Sequence, residues 1–291
     1  MKPIFYRRTY AFDDGLTLEL GRRTLIMGIL NVTPDSFSDG GQYTDVEKAV
    51  ERARQMEAEG ADLIDIGGES TRPGHEPVSQ AEELRRVIPA IQAVREAVRL
   101  PISVDTYRAE TARQALEAGA HILNDIWGFK REPRMAEIAA DYGCPVILMH
   151  NREQRDYSDY VPNVLEDLRL SVTRAQAAGV AEANIWLDPG IGFAKDYEEN
   201  LELMGRLDEI VRLGYPVLLG TSRKSFIRRT LNVEPGDTME GTAATQALGI
   251  AQGCQILRVH DVRQMKRVAA MTDAVVYRQA KIEGSGDSWT E

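Results

Sequence analysis

Two segments near the end of the chain combine cations and hydroxyls in a way that suits a phosphate group. Residues 220–225 read GTSRKS, so the cations Arg223 and Lys224 stand beside hydroxyls at the start of a helical segment. Arg258 and His260 follow in the next apolar run, and residues two apart in a strand share a face. This pattern predicts a phosphate or diphosphate site. The alternative is a solvated basic loop with Arg258 in a structural ion pair.

Three further polar residues, Asp105, Asn124 and Asp188, each lie at the end of an apolar run. Burying a carboxylate is costly unless it meets donors, and an amide can both donate and accept. Together the three suit a flat heterocycle that carries several N–H groups and ring acceptors. The alternative is that each one orients a loop or pairs with Lys224 or Arg258.

Asn31 ends the first apolar run of the series. Its amide oxygen is a possible ligand for Mg²⁺, which commonly keeps waters and phosphate oxygens in its coordination shell. A structural amide is an equally good interpretation of the sequence. His75, His121 and His150 have no metal-ligand spacing, and we assign them no catalytic role.

The elements that position these side chains are apolar runs rich in Ile, Leu and Val, without polar alternation. Such runs are typical of strands buried on both faces of a parallel sheet, and they occupy residues 24–32, 62–68, 101–105, 121–125, 145–150, 185–188, 216–221 and 256–260. Amphipathic helical segments separate them. Glycines end six of these segments, as left-handed helix caps require, at Gly60, Gly119, Gly143, Gly179, Gly214 and Gly253.

Eight such strand–helix units without a break in composition predict an α/β fold, a single (β/α)8 TIM barrel over residues 21–282. The C-terminal ends of barrel strands form the reactive rim, so the polar residues above should converge. Residues 1–20 are expected to form a short hairpin that plugs the N-terminal end of the barrel, and residues 283–291 a frayed tail. Two loops rich in Gly, Pro and Ser, at 33–41 and 69–78, lie where a lid would be.

Composition limits the partners of the protein. A net charge of −10 argues against nucleic acid, which needs a basic face. No apolar run approaches the ~18 residues of a membrane span, and the N-terminal residues lack the apolar core of a secretory signal. Cys144 and Cys254 form no metal-ligand spacing and should pack as small buried residues. We therefore expect a cytoplasmic enzyme that acts on small molecules.

Seven sequence blocks, in the same order along the chain, resemble the motifs of the dihydropteroate synthase family. They are 27–41 (MGILNVTPDSFSDGG), 65–74 (DIGGESTRPG), 103–106 (SVDT), 124–125 (ND), 187–193 (LDPGIGF), 220–225 (GTSRKS) and 258–262 (RVHDV). The resemblance implies transfer of the dihydropterin methyl group of 6-hydroxymethyl-7,8-dihydropterin diphosphate to the amine of 4-aminobenzoate, in folate biosynthesis. It also implies Mg²⁺ and a homodimer. The family mechanism resembles ionisation of the diphosphate first, followed by capture of the cation by a neutral arylamine that needs no strong general base.

The resemblance also implies a role for individual residues. Pterin contacts fall on Asp105, Asn124, Asp188 and Lys224, with Met149 and Gly220 lining the pocket and Arg258 covering the ring. Diphosphate contacts fall on Thr71, Arg72, Arg258 and His260, with Mg²⁺ near Asn31. The 4-aminobenzoate pocket, where sulfonamides also bind, corresponds to Phe37, Arg72, Pro73, Lys224 and Ser225. The residues expected to carry catalysis are Lys224, Asp105, Arg258 and Asp35.

Two other functions remain open from the sequence. A related barrel, the methyltetrahydrofolate–corrinoid methyltransferase, also binds pterins, but it would leave the predicted anion sites at Thr71–Arg72 and 222–224 unexplained. A catalytically inactive pterin-binding paralogue is the second alternative. The intact loop residues Asp35 and Phe37, together with Thr71 and Arg72, argue against it.

Overall fold

A computed structural model describes residues 2–33, 42–69, 78–278 and 280–283 of the chain. Its strands, in chain order, are β1 (Ile4–Tyr6), β2 (Arg8–Ala11), β3 (Thr17–Leu20), β4 (Leu25–Asn31), β5 (Leu63–Gly67), β6 (Ile102–Asp105), β7 (Ile122–Asp125), β8 (Val146–Met149), β9 (Ile185–Asp188), β10 (Leu218–Leu219), β11 (Ile256–Val259) and β12 (Lys281–Glu283). The eight strands β4 to β11 fall within the eight apolar runs of the sequence.

Helices follow the barrel strands along the chain. They are α1 (Gln42–Glu59), α2 (Gln80–Ala97), α3 (Ala109–Glu117), α4 (Arg134–Asp141), α5 (Tyr160–Ala177), α6 (Tyr197–Met204), α7 (Leu207–Val211), α8 (Ser225–Leu231), α9 (Met239–Ala251) and α10 (Val262–Val276). The six predicted glycine caps all adopt positive φ, between 59° and 107°. None of the helices that the structure describes is long and apolar enough to cross a membrane.

The eight central strands form one parallel sheet in which each strand pairs with the next in sequence from β4 to β9. β10 pairs with β11, and β11 pairs with β4. A parallel bridge between Leu187 and Val217 joins β9 to the residue before β10. The sheet therefore curls into the predicted (β/α)8 TIM barrel.

The barrel interior is apolar at its N-terminal end and polar at its C-terminal end. The lower interior is one cluster of buried residues, made of Tyr10, Leu18, Leu20, Leu25, Met27, Leu63, Ile122, Ile147, Trp186, Leu218 and Ile256. Side chains alternate along a strand, so the inward position two residues after Ile122 is Asn124, and that after Trp186 is Asp188. On β11, the inward position two residues after Ile256 is Arg258. The same strands therefore present apolar side chains at the N-terminal end of the interior and polar side chains at the C-terminal end.

The N-terminal hairpin plugs the floor of the barrel, as predicted. β2 and β3 pair antiparallel, with Arg8 opposite Leu20. The hydroxyl of Tyr10 accepts a hydrogen bond from Trp186 Nε1 at 2.7 Å and donates one to the carbonyl of Ala183 at 2.7 Å. The hairpin is therefore fixed to the barrel by a buried polar contact as well as by apolar packing.

Two short strands extend this end of the molecule beyond what the sequence predicts. β1 pairs in parallel with β12, so Glu283, expected to begin the frayed tail, is the last residue of a strand. The side chain of Gln255 accepts from the amide of Tyr6 at 2.7 Å and donates to its carbonyl at 2.8 Å. The polar segment that follows Glu283 lies outside the described residues.

We expect Tyr10→Phe to lower the stability of the protein without changing its chemistry. The substitution leaves the buried N–H of Trp186 and the carbonyl of Ala183 without their partner, which typically costs about 1–3 kcal/mol. Urea unfolding measures the loss. Thr9→Ala, which alters an exposed side chain of the same strand, is the matched control. Equal unfolding free energies for both variants would show that the hairpin contact contributes nothing.

Candidate active site

The structure brings the predicted rim residues of the strands to one end of the barrel. Their backbones are neighbours in the sheet, because Asn31 pairs with Gly67, Gly67 with Asp105, and Asp105 with Asn124. On the other side of the mouth, Met149 pairs with Asp188. The convergence predicted from the sequence is therefore confirmed for the ends of β4 and β6 to β9.

Arg258 is the central cation of the mouth. Its Nε donates to Oδ2 of Asp65 at 2.6 Å, and its Nη2 donates to Oδ2 of Asp105 at 2.7 Å. The Nδ2 of Asn124 donates to the same oxygen of Asp65 at 3.1 Å. The guanidinium joins strands β5, β6 and β11 across the barrel, so the ion pair left open by the sequence does exist.

Asp65 is a site residue that the sequence analysis did not select. It lies within β5 rather than at its end, and its side chain is fully buried. The available signal was a carboxylate in the middle of an otherwise apolar strand, LIDIG. A buried carboxylate at such a position needs a donor from another strand, which Arg258 supplies.

Two carboxylate oxygens in the mouth are left over after this network forms. Oδ1 of Asp65 and Oδ1 of Asp105 are buried and have no hydrogen-bond partner within the described part of the chain. Burial, together with the nearby charge of Asp65, raises the pKa of Asp105 to about 7, although the charge of Arg258 opposes the rise. The mouth therefore presents acceptors that a ligand with N–H groups can satisfy.

Asp188 is held by the turn that follows β9. Its Oδ1 accepts from the amide of Gly190 at 2.7 Å. Burial raises the pKa of Asp188, and the Gly190 hydrogen bond and the charges of Lys224 and Arg258 work against that rise. The carboxylate is thus oriented by backbone and faces two cations of the site.

Lys224 reaches the same turn from the other side. Its Nζ lies 4.3 Å from the centre of the Phe193 ring, and a Cβ placed on Gly192 would lie 3.1 Å from Lys224 Cδ. Cation–π contact of this kind orients an ammonium without neutralising it. Ser225, the next residue, begins α8 and is exposed.

The predicted anion site is assembled from β10 and β11. Ser222 Oγ lies 2.9 Å from Nδ1 of His260 and accepts from the amide of His260 at 3.2 Å. The direction of the contact between Oγ and Nδ1 follows the tautomer of the ring, because a hydroxyl can accept two hydrogen bonds or accept one and donate one. We expected two cations here, Arg223 and Lys224. Arg223 instead pairs with Asp261 at 2.7 Å, so its charge is already matched by a carboxylate.

The metal prediction rests on Asn31, which is half-buried at the end of β4. A Cβ placed on Gly67 would lie 3.8 Å from Asn31 Oδ1, so the neighbouring strand leaves room beside this oxygen. In the described ranges, no group of three or more His, Cys, Asp or Glu side chains could hold a metal ion. A single amide oxygen fits a Mg²⁺ that takes its other ligands from phosphate and water.

Other predicted residues fall in the sequence segments 34–41 and 70–77. Asp35, Phe37, Thr71, Arg72 and Pro73 all lie outside the described residues, as does His75. The described part of the mouth therefore consists of strand ends and the turns after β9 and β10, without most of these two loops.

The structure describes one further predicted pocket residue and three residues to which we assigned no catalytic role. Gly220 follows β10, where a Cβ would meet nothing closer than Arg258 Cβ at 3.9 Å, which leaves space in the mouth. His121 lies at the hairpin end of the barrel, where its Nε2 is 3.0 Å from Asp14. Cys144 and Cys254 are buried free thiols, as expected.

Comparison with known proteins places this α/β barrel in the class of pterin-binding enzymes. The family described as pterin binding enzyme matches residues 27–260. The chain is 56% identical over 259 residues to dihydropteroate synthase of Bacillus subtilis (strain 168), covering 89% of this chain and 91% of the relative. It is 53% identical over 260 residues to that of Clostridium beijerinckii, covering 89% and 97%.

Solved structures agree in fold and sequence. Dihydropteroate synthase of Clostridium difficile, determined in the presence of pteroic acid, superposes with a TM-score of 0.87 at 49% identity, covering 89% of this chain and 98% of that one. The Xanthomonas albilineans enzyme with 4-aminobenzoic acid gives 0.86 at 42%, covering 90% and 96%. The chain belongs to the dihydropteroate synthase family, whose reaction condenses 6-hydroxymethyl-7,8-dihydropterin diphosphate with 4-aminobenzoate.

We expect Arg258→Leu to destabilise the protein more at pH 8 than at pH 5.5. Removing one partner of a buried ion pair leaves an uncompensated charge, which costs about 3–5 kcal/mol. The pKa of Asp105 is already about 7, and losing the cation raises it further. In the variant, Asp105 is therefore neutral at pH 5.5 and leaves no unpaired charge in the folded protein. At pH 8 the folded variant must either bury an unpaired carboxylate or protonate it, and both lower the free energy of unfolding.

Chemical denaturation of the variant and the wild type at both pH values measures the difference. The double variant Arg258→Leu/Asp105→Asn is the matched control, and its loss of stability should depend less on pH. An equal loss at the two pH values in Arg258→Leu would contradict the assigned ion pair.

Proposed function

We propose that the barrel mouth holds the pterin ring with the buried acceptors of β5, β6 and β9 and holds the diphosphate with groups of β10 and β11. The observation that carries this proposal is the pair of buried, unpartnered oxygens on Asp65 and Asp105 within the described residues. A pterin offers several N–H groups on one edge of a flat ring, which such oxygens can accept. The relative of known structure from Clostridium difficile was determined with pteroic acid present, which supports a pterin at this mouth.

Each acceptor has a distinct part in ring binding. Asp105 contributes Oδ1, Asn124 contributes an amide that both donates and accepts, and Asp188 contributes a carboxylate already oriented by Gly190. Met149 is buried at the end of β8 and supplies an apolar wall. The pterin is recognised mainly by matching its donors to carboxylates that are costly to leave unpaired.

The diphosphate would bind where β10 and β11 end. In this proposal Ser222 donates to Nδ1 of His260, which leaves the Nε2–H of the ring to donate to the diphosphate. Arg258 supplies a guanidinium whose bonds to Asp65 and Asp105 can be shared with an anion. Thr71 and Arg72 complete this subsite in the proposal. Mg²⁺, held on Asn31 Oδ1, would neutralise diphosphate charge and so make it a better leaving group.

The residues of the site stabilise charge separation rather than transfer a proton. As the C–O bond to diphosphate breaks, negative charge grows beside Arg258 and positive charge grows on the pterin methylene, near Asp105 and Asp188. Fixed charges aimed at developing charge are typically the largest contribution to catalysis. The arylamine of 4-aminobenzoate is neutral at pH 7 and attacks the methylene with its lone pair. The proton left on the nitrogen after the C–N bond forms is acidic and passes to water or to the released diphosphate, so we assign no general base.

Lys224 would contact both substrates, the pterin beside Asp188 and the 4-aminobenzoate above Lys224 and Ser225. Phe37, Arg72 and Pro73 would be contributed to this second site by the loops, and Asp35 would assist catalysis. A structure of the Xanthomonas albilineans enzyme with 4-aminobenzoic acid and one of the Yersinia pestis enzyme with a sulfonamide support such a pocket in relatives. We infer that sulfonamides compete here with 4-aminobenzoate.

The proposed activity is tested with purified protein, both substrates and Mg²⁺. Diphosphate release should depend on 4-aminobenzoate and yield dihydropteroate. A protein that binds the pterin but releases no diphosphate would be an inactive paralogue, and the proposal would be wrong.

We expect Lys224→Ala to lower kcat/KM about 10²–10³-fold, which is typical for the loss of one preorganised electrostatic contact. The residue is partly exposed at the start of α8, so its loss should change the melting temperature little. Arg229→Ala, which removes an exposed cation from the same helix, is the matched control. Retention of wild-type turnover in the Lys224 variant would exclude the assigned role.

We also infer a homodimer and a cytoplasmic location, the latter in keeping with two free buried cysteines. Large apolar side chains are exposed on the adjacent helices α8, α9 and α10, at Leu231, Leu248, Met271 and Val275. Such a patch is typical of an interface.

We expect Leu248→Glu to convert the dimer to a monomer, because the substitution places a charge in this patch. Light scattering measures the mass. Leu201→Glu on α6 is the matched control and should remain a dimer. Identical masses for the two variants would exclude this interface.

A further inference from the structure

Lys195 is a buried ammonium beside the site to which the proposed reaction gives no task. It lies between β9 and α6, and only 9% of the residue is exposed. Burial lowers its pKa to about 7, although the charge of Asp188 opposes the shift. Burying an ammonium is costly, so the contacts that hold it in the fold indicate what it does.

All three donors of the Lys195 ammonium are used, and all three acceptors belong to the rim. Nζ donates to the carbonyl of Gly190 at 2.9 Å, to the carbonyl of Phe193 at 2.9 Å and to Nδ1 of His150 at 2.8 Å. The first two lie on the turn that follows β9, and the third follows β8. Lys195 thus closes the 190–193 turn on itself and ties it to the neighbouring strand.

His150 is fixed in the tautomer that this contact requires. Its Nε2–H donates to Asp167 Oδ2 at 3.0 Å, an oxygen that also accepts from Arg152 Nε at 2.6 Å. Burial, then the charge of Lys195, lowers the pKa of His150 to about 3, so the ring is neutral and Nδ1 accepts. The cation is therefore supported by a chain of hydrogen bonds that reaches α5.

The turn held by Lys195 contacts two of the groups assigned to the pterin. The amide of Gly190 orients Asp188, and the ring of Phe193 lies under the ammonium of Lys224. The turn also packs closely against the residue that follows β8. A Cβ on Gly190 would lie 1.9 Å from the carbonyl oxygen of His150, so the two backbones are in contact. A shift of this turn would displace Asp188 and Lys224 together.

We propose that Lys195 is a positioning residue that sets the pterin side of the site, Asp188 and Lys224, through the 190–193 turn, and does not act on the diphosphate side. The inference rests on the proposed assignment of Asp188 and Lys224 to the pterin. The diphosphate groups belong to β11 and its end, where Arg258 is anchored by carboxylates of β5 and β6 and His260 by Ser222. Binding of the two halves of the substrate should therefore respond differently to loss of Lys195.

The test measures two equilibrium affinities by calorimetry, one for 6-hydroxymethylpterin and one for inorganic diphosphate with Mg²⁺. Lys195→Met removes all three donors and keeps the length of the side chain. Its pterin affinity should fall roughly 10- to 100-fold, since a small misplacement of binding groups can cost up to about 10². Its diphosphate affinity should stay within about threefold of the wild type.

Two further variants separate positioning from simple stability. Lys195→Gln retains amide donors and should recover part of the pterin affinity, and it takes the same measurement if the Met variant does not fold. Lys266→Met is the matched control, because it removes a partly buried lysine that bonds Asp62 at 2.9 Å, away from the mouth. It should lower the melting temperature and leave both affinities unchanged.

The outcomes distinguish this inference from the proposed function. Equal pterin affinity in the Lys195 variants and the wild type, or a parallel loss of both affinities, would overturn the positioning role. A wild-type protein that binds neither probe would instead overturn the proposed function.

Discussion

Arg258 binds two carboxylates inside the barrel, Asp65 through Nε and Asp105 through Nη2, and the polar mouth depends on this contact. The arginine side chain is 18% exposed, while those of Asp65 and Asp105 are 0% and 4% exposed. Carboxylates at this depth are tolerated because a cation from another strand compensates them. Without this cation, the buried carboxylates could not be kept at the end of an otherwise apolar interior.

The same balance of charge extends around the rim. Asp188 faces Lys224, and the turn between them is held by Lys195, whose own charge is accommodated by carbonyls and a neutral histidine. The carboxylates of the mouth belong to β5, β6 and β9, and each of them lies near a cation from another part of the barrel. A ligand that carries both N–H donors and a diphosphate can replace these internal contacts: its N–H groups bond the carboxylates, and its phosphate oxygens bond the cations.

Stability and chemistry are separated along the barrel axis. The hairpin, Tyr10 and Trp186 close the N-terminal end with apolar packing and a satisfied hydrogen bond. The C-terminal end leaves buried oxygens of Asp65 and Asp105 without a partner among the described residues, at a cost in stability. A well-packed floor lets the barrel accept that cost, in keeping with the usual placement of catalytic groups at the C-terminal face.

Local patterns in the sequence were enough to establish the eight barrel strands and the helices between them, because unbroken Ile, Leu and Val runs and glycine caps depend on residues close together in the chain. They did not predict the pairing of β1 with β12. These patterns also selected Asp105, Asn124, Asp188 and Lys224 near the ends of such runs, and Arg258 with His260 because residues two apart in a strand share a face. Which charges meet became clear only from the folded chain. Asp65 lies inside a strand, Arg223 turns to Asp261, and Lys195 is buried against two carbonyls and His150. These pairings join residues far apart in sequence, or depend on the path of one turn. Hydrophobic periodicity reports which face of a strand is buried, but it carries no information about the partner that a charged group finds across the barrel.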